Sequence, residues 1–150
     1  MPVEVQVASC AGQLPAAGDI QKWADAALEE LADEAEPPDL CIRLVDVDES
    51  RSLNDRYRGQ DKPTNVLSFP ASVSVPGTRM LGDLVICVPV VIDEAQSQDK
   101  PAADHFAHMV VHGVLHLVGH DHQEPVAASR MEALEAKILL RLGVADPYQQ

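Results

Sequence analysis

The stretch His112-Gly113-Val114-Leu115-His116-Leu117-Val118-Gly119-His120-Asp121-His122 dictates its own local structure more tightly than any other part of this chain. His112 and His116 are four residues apart, so on a helix both imidazoles leave the same face, one turn above the other. Gly119 stands where a helix that must stop and turn back needs a residue tolerant of positive φ. After that turn His122 can return toward the first two histidines and complete a set of three nitrogens. Three protein ligands leave a place for water or substrate, which marks a catalytic metal site rather than a purely structural one. Zinc is the first choice for such a set, and nickel, copper or iron suit the same nitrogens. The competing reading is a closed zinc that only pins the helix turn, with His120, Asp121 or a cysteine as fourth ligand.

The pattern H-x-x-x-H-x-x-G-x-x-H resembles the ligand frame of the metzincin proteases, with one residue missing. Those proteases carry a Glu after the first His as general base, and here that position is Gly113. The chain thus keeps the metal frame and drops the proteolytic base, which predicts some other chemistry at the metal. His105 and His108 read as packing or hydrogen-bonding residues, although His108 could share the ligand face. His120 is off the template and reads as exposed in the turn. Asp121 could orient an imidazole from behind.

A chain of 150 residues is most simply one domain, 1–150, able to bury about 70% of its unfolded surface. Aromatic residues are scarce, so the core must be built mainly from Val, Leu, Ile and Ala. The start of the chain lacks the basic and apolar segments of a signal peptide, and no apolar run is long enough to span a bilayer. A cytoplasmic location is the expectation. Cys10, Cys41 and Cys87 are widely spaced and read as small buried residues in or near strands, not as disulfides or thiolate ligands. The net charge of −13 argues against an obvious nucleic-acid binder. That charge is unevenly spread along the chain, however. Between Arg51 and Arg79 five basic residues face only two acids, so one face could be locally positive within an acidic body.

Residues 3–7 alternate apolar and polar and read as a strand. Ile20, Trp23, Ala24, Ala27, Leu28 and Leu31 mark an amphipathic helix with Asp19 near its start and Pro37-Pro38 at its end. Its outer face, Glu29, Glu30, Asp33 and Glu34, reads as a solvated stripe. Residues 40–47 form a second strand, and Asp48 can cap a short helix reaching Tyr57, with Leu53 and Tyr57 pointing inward. Residues 64–69 and 81–88 read as strands, the latter central because its apolar run is continuous. Pro89 opens a helix to about Gln98, Pro101 opens the histidine helix, and a last helix runs from Pro125 to Leu142 with Gly143 as its stop. Four strands interleaved with about five helices make an α+β (α/β) sandwich with a single sheet. The protease analogy implies a mostly parallel sheet with one antiparallel edge strand, residues 64–69, bordering the cleft.

Residues 54–70, Asn-Asp-Arg-Tyr-Arg-Gly-Gln-Asp-Lys-Pro-Thr-Asn-Val-Leu-Ser-Phe-Pro, form a second dense block. Together with Leu81-Gly-Asp-Leu-Val-Ile-Cys87 and Met109–His122, this block resembles the bacterial YbeY family over nearly the whole chain. The resemblance implies a single-strand-specific, metal-dependent endoribonuclease acting in maturation of small-subunit ribosomal RNA and in ribosome quality control. It implies zinc ligands at His112, His116 and His122 and a functionally important arginine at Arg58. RNA and the ribosome or small-subunit ribosomal proteins become the expected partners, and no membrane.

Phosphodiester chemistry is consistent with that set. A three-His metal is a Lewis acid that lowers the pKa of bound water toward about 7, and an arginine offers two-pronged donation to phosphate oxygens. Lys62 and Arg79 could guide the strand. The competing role for Arg58 is an ion pair with Asp61 or Asp83. Two other functions remain open at this level: a hydrolase of another substrate such as peptide, which Gly113 disfavours, and a non-catalytic assembly factor braced by zinc. The acidic surface suits the latter, since it would attract basic ribosomal proteins.

Overall fold

Two apolar clusters, one on each face of a four-stranded sheet, organise the chain. The computed structural model describes residues 3–12, 14–31, 39–71, 80–119 and 124–148. In chain order its elements are β1 (Val3–Val7), α1 (Ala17–Leu28) continued by a 3-10 turn (Glu29–Leu31), β2 (Asp39–Val45), α2 (Val47–Arg58), β3 (Val66–Pro70), β4 (Met80–Cys87), α3 (Val88–Ser97), α4 (Ala102–Leu117) and α5 (Pro125–Arg141). The strand order is β1-β2-β4-β3, with β1, β2 and β4 parallel and β3 antiparallel to β4 at one edge. The expected mixed sheet is present, with its antiparallel edge strand at Val66–Pro70. The continuous apolar run is the centrally paired β4.

Successive side chains of a strand point to opposite faces. Leu40, Ile42, Leu44, Leu84 and Ile86 therefore enter the larger cluster, with Ile20 and Trp23 of α1, much of α4, and Met131, Ile138 and Leu139 of α5. Val45, Leu67, Val85 and Cys87 face the other way, into a smaller cluster against which Leu53 of α2, Phe69 and Val90 pack. This smaller cover explains one departure from expectation. Tyr57 does not point inward; it is 59% exposed, its ring edge-on to Phe69.

Three other expectations change once the elements are packed. The residue before α2 is Asp46, not Asp48, and its carboxylate is used by Ser9 Oγ–H and the Cys10 backbone N–H rather than by the helix. Glu29 and Glu30 are not simply solvated: Arg141 of α5 donates to both, 3.2 and 2.8 Å away, so they tie the end of α1 to α5. Asp33 and Glu34, like Pro37-Pro38, lie outside the described residues. Cys87 is buried and Cys41 half-buried, but Cys10 is exposed in the loop after β1, because only the strand cysteines have a helix layer to cover them.

Helix α4 is the axis of the larger cluster. From His105 to Leu117 every residue is buried except His108, His112 and His116. Gly113 packs directly on the sheet: a Cβ there would lie 2.7 Å from Leu84 Cδ2 and 3.0 Å from Leu84 Cδ1. Leu84 is itself fully buried, so its methyl groups can give way only by displacing other core side chains. The position that carries a general base in the proteases thus faces apolar core, so the missing Glu has a packing cause. In an ordinary helix interior, Gly to Ala gains about 1 kcal/mol. Here Gly113→Ala should instead lower stability by about 1–2 kcal/mol, the overpacking cost outweighing propensity. Urea midpoints measure this, and the loss should shrink when Leu84→Ala first makes room.

Candidate metal centre

The polar stripe of α4 is a row of imidazoles. His108 and His112 have ring centroids 6.2 Å apart, and His112 and His116 also 6.2 Å, each pair edge-on. The i, i+4 spacing has placed His112 and His116 on one face, as it must on a straight helix. The helix then ends at Leu117, and Gly119 turns the chain with φ +103°, the conformation for which a glycine was expected there. His122, the third expected ligand, lies outside the described residues, as do His120 and Asp121.

Behind this row lies a carboxylate that the sequence had not announced as functional. Glu135 of α5 is completely buried, in register with the apolar residues Met131, Ile138 and Leu139. One oxygen, Oε1, contacts His112 Nδ1, and the other, Oε2, accepts the Tyr148 hydroxyl proton. His108 Nε2 lies 3.3 Å from the Tyr148 oxygen and 3.6 Å from Glu135 Oε2. Burial alone would raise the carboxyl pKa, but the neighbouring imidazoles of His108 and His112 and the Tyr148 hydroxyl outweigh it and pull it down to about 2. Burial and the adjacent carboxylate push the Tyr148 phenol upward, so it stays a donor. An ionised carboxylate accepts only, so the His112 proton sits on Nδ1 and its lone pair on Nε2.

His108, His112 and Glu135 each offer a ligand atom, all within 4.8 Å of one another, and such a group could hold a metal ion. His112 Nδ1 and Glu135 Oε1 are nevertheless already in hydrogen-bond contact, which leaves no space for an ion between those two atoms. The contact instead prepares Nε2 of His112, on the opposite side of the ring, as the ligating nitrogen. Two imidazoles on one helix face, that of His112 backed by a carboxylate at Nδ1, fit a borderline cation of the zinc type.

The dense block around residue 60 is pinned from several sides. The fully buried Ser50 hydroxyl both accepts from Thr64 N and donates to Thr64 O, each at 3.0 Å. Asn54 Nδ2 donates to Lys62 O. Asn65 Nδ2 reaches Glu94 of α3, whose Oε1 also accepts from His105 Nε2 at 2.8 Å. Asn65, Glu94 and His105 thereby bridge the block to α4 along the wall of a cavity of about 650 Å³ that also meets His108 and Tyr148.

Arg58 closes α2 and is exposed. Asp61 is taken by Arg51 in a two-pronged pair at 2.7 and 3.1 Å, so it is not the partner of Arg58. Among the described residues no ion pair engages Arg58, and no hydrogen bond joins it to the histidine row. Its helix packs on the sheet face opposite to α4. Lys62 is exposed nearby in sequence, and Arg79 lies outside the described residues.

The sign of one pH effect follows from His105. Burial lowers its pKa, against the opposing pull of Glu94, so the folded state holds it neutral. The unfolded chain binds its proton near pH 6.5, so between the folded value and about 6.5 the unfolded state carries more protons. Stability should therefore be full above about pH 6.5 and fall as the pH drops through the window below it. Urea unfolding of metal-free protein across this range should show that slope, reduced in His105→Gln.

Comparison with known proteins adds the kinship. A family model described as Endoribonuclease YbeY matches residues 10–143. A curated relative named Endoribonuclease YbeY, from Halorhodospira halophila (strain DSM 244 / SL1), is 54% identical over 141 residues, covering 91% of this chain and 89% of its own length. Among solved structures, the solution structure of a Thermotoga maritima protein matches with a TM-score of 0.60 and 22% identity over 99% of both chains, a likeness of fold.

Proposed function

The chain belongs to the YbeY family of endoribonucleases, and on that footing we propose that it is a zinc-dependent endoribonuclease of the cytoplasm. It cuts single-stranded RNA in the maturation of small-subunit ribosomal RNA and in ribosome quality control. The observation that carries this reading is the pairing of His112 and His116 on the one incompletely buried stripe of a core helix, in a chain of this kinship. No described helix is long and apolar enough to cross a membrane.

His112, His116 and His122 would hold the zinc. When bound, the ion supplies a Lewis acid for a phosphodiester at the open ligand position. Arg58, whose guanidinium no acid among the described residues neutralises, ends α2 on the sheet face opposite to α4, so it would meet the RNA by reaching round the β3 edge, where a guanidinium can give two parallel hydrogen bonds to non-bridging phosphate oxygens. Lys62 and Arg79 add positive charge along the RNA path, in a stretch where basic residues outnumber acids five to two. Glu135 holds the His112 ring from behind. Gly113, packed on Leu84, supplies no base for peptide hydrolysis, which disfavours a peptidase.

A second role is favoured by one observation, the net charge of −13. An acidic body attracts basic ribosomal proteins, so the chain docks on the small subunit through protein while Arg58 meets RNA.

Metal-loaded protein incubated with single-stranded RNA, duplex RNA and casein tests the reading. The single strand should be cut, the duplex and casein spared. His116→Ala and Arg58→Ala should each lower cleavage by about 100-fold or more, the scale of removing one transition-state contact. Equal trace cleavage by the parent and both variants would point to a contaminant and sink the nuclease assignment.

A further inference from the structure

We propose that Glu135 is the positioning residue of the metal centre: its buried carboxylate fixes the tautomer and ring plane of His112 so that Nε2 is presented to the ion. The inference rests on His112, His116 and His122 being the ligands. Its physical basis is independent of them. A carboxylate is almost never fully buried without partners, because removing its charge from water is costly. Glu135 is completely buried in the apolar stripe of α5. Its hydrogen-bond partners come from two other segments: His112 from α4 and Tyr148 from the stretch after α5, with His108 of α4 standing 3.6 Å from Oε2.

The atom that Glu135 engages on His112 gives the arrangement its meaning. Imidazole Nδ1 and Nε2 compete for one proton, and a carboxylate at Nδ1 decides the competition while making Nε2 more basic. A carboxylate serving only to brace α4 against α5 would do as well on any donor. Here it meets the ring nitrogen that sets the ligand's tautomer. The ring plane is held from the side as well. His108 stands edge-on to His112, with an interplanar angle of 85°, and is itself edge-on to Tyr148 at 88°. Tyr148 fills the second carboxylate oxygen, so Oε1 is left to His112. The backbone N–H of Tyr148 donates to Asp146 Oδ1 at 2.9 Å, which ties down the turn that carries the phenol.

Glu135→Gln tests this, because its amide can turn either oxygen or nitrogen toward Nδ1 and no longer enforces one tautomer. Zinc affinity is read by competition with a chromogenic chelator, and ligand geometry by the visible spectrum of the cobalt-substituted protein. Relative to the parent, Glu135→Gln should lose about 10–100-fold in zinc affinity, the usual cost of removing a carboxylate behind a ligating histidine, and show an altered cobalt spectrum. Tyr148→Phe, which keeps the carboxylate and removes one donor, should fall between the two and serves if the Gln variant does not fold. Parent-like affinity and cobalt spectra in folded Glu135→Gln and Tyr148→Phe, with His116→Ala unable to bind, would overturn the positioning role while leaving the ligand set intact. Loss of binding in Glu135→Gln and His108→Ala but not in His116→Ala would make Glu135 a ligand, overturning this inference and the three-histidine reading together.

Discussion

The fold hangs on the burial of α4 against the sheet. That helix is apolar almost all round, and a helix of this kind is stable only when surrounded. Sheet, α1, α3 and α5 provide the surroundings, and the close approach at Gly113 sets how near the helix can lie to β4. What remains uncovered is a narrow stripe, and the stripe is histidine. Imidazoles in such a place keep their rings against apolar neighbours while offering nitrogen to one side. The same packing decides which chemistry is lost, since the residue after His112 points at Leu84 instead of the stripe.

Burying a row of nitrogens creates a second requirement, a polar partner within the protein. Glu135 meets it for His112 and Glu94 meets it for His105, each with the other side of its carboxylate bonded elsewhere, to Tyr148 and to Asn65. The two carboxylates therefore do more than satisfy histidines. One binds the C-terminal segment to the metal helix, and the other binds it to the block following Arg58. Exposed ion pairs such as Arg51–Asp61 contribute little stability by comparison, as expected of charges in water, but this pair occupies Asp61, one of the two acids three residues from Arg58.

Much of the fold was legible because its elements are punctuated by local chemistry. Pro101, Pro125, Gly119 and Gly143 mark helix ends whose causes lie within a turn of the residue itself. Errors arose where a side chain's partner is distant in sequence. Asp46 is used by Ser9, 37 residues away, and Arg141 reaches Glu29 and Glu30 across more than a hundred. Glu135 belongs to the same class. The only local trace of it was an acid in register with Met131, Ile138 and Leu139, a place where an unpaired charge would be too costly to keep.

Spacing alone determined that His112 and His116 share a helical face and that Gly119 turns the chain, because helical geometry and a glycine's steric freedom need no tertiary partner. Residue pattern alone likewise carried the kinship that the family comparison then established. Tertiary structure decided the rest: that Gly113 faces core, that Asp61 belongs to Arg51, and that a buried Glu135 stands behind His112. Each of those depends on which surfaces two distant elements bring together, and packing, not local propensity, chooses them.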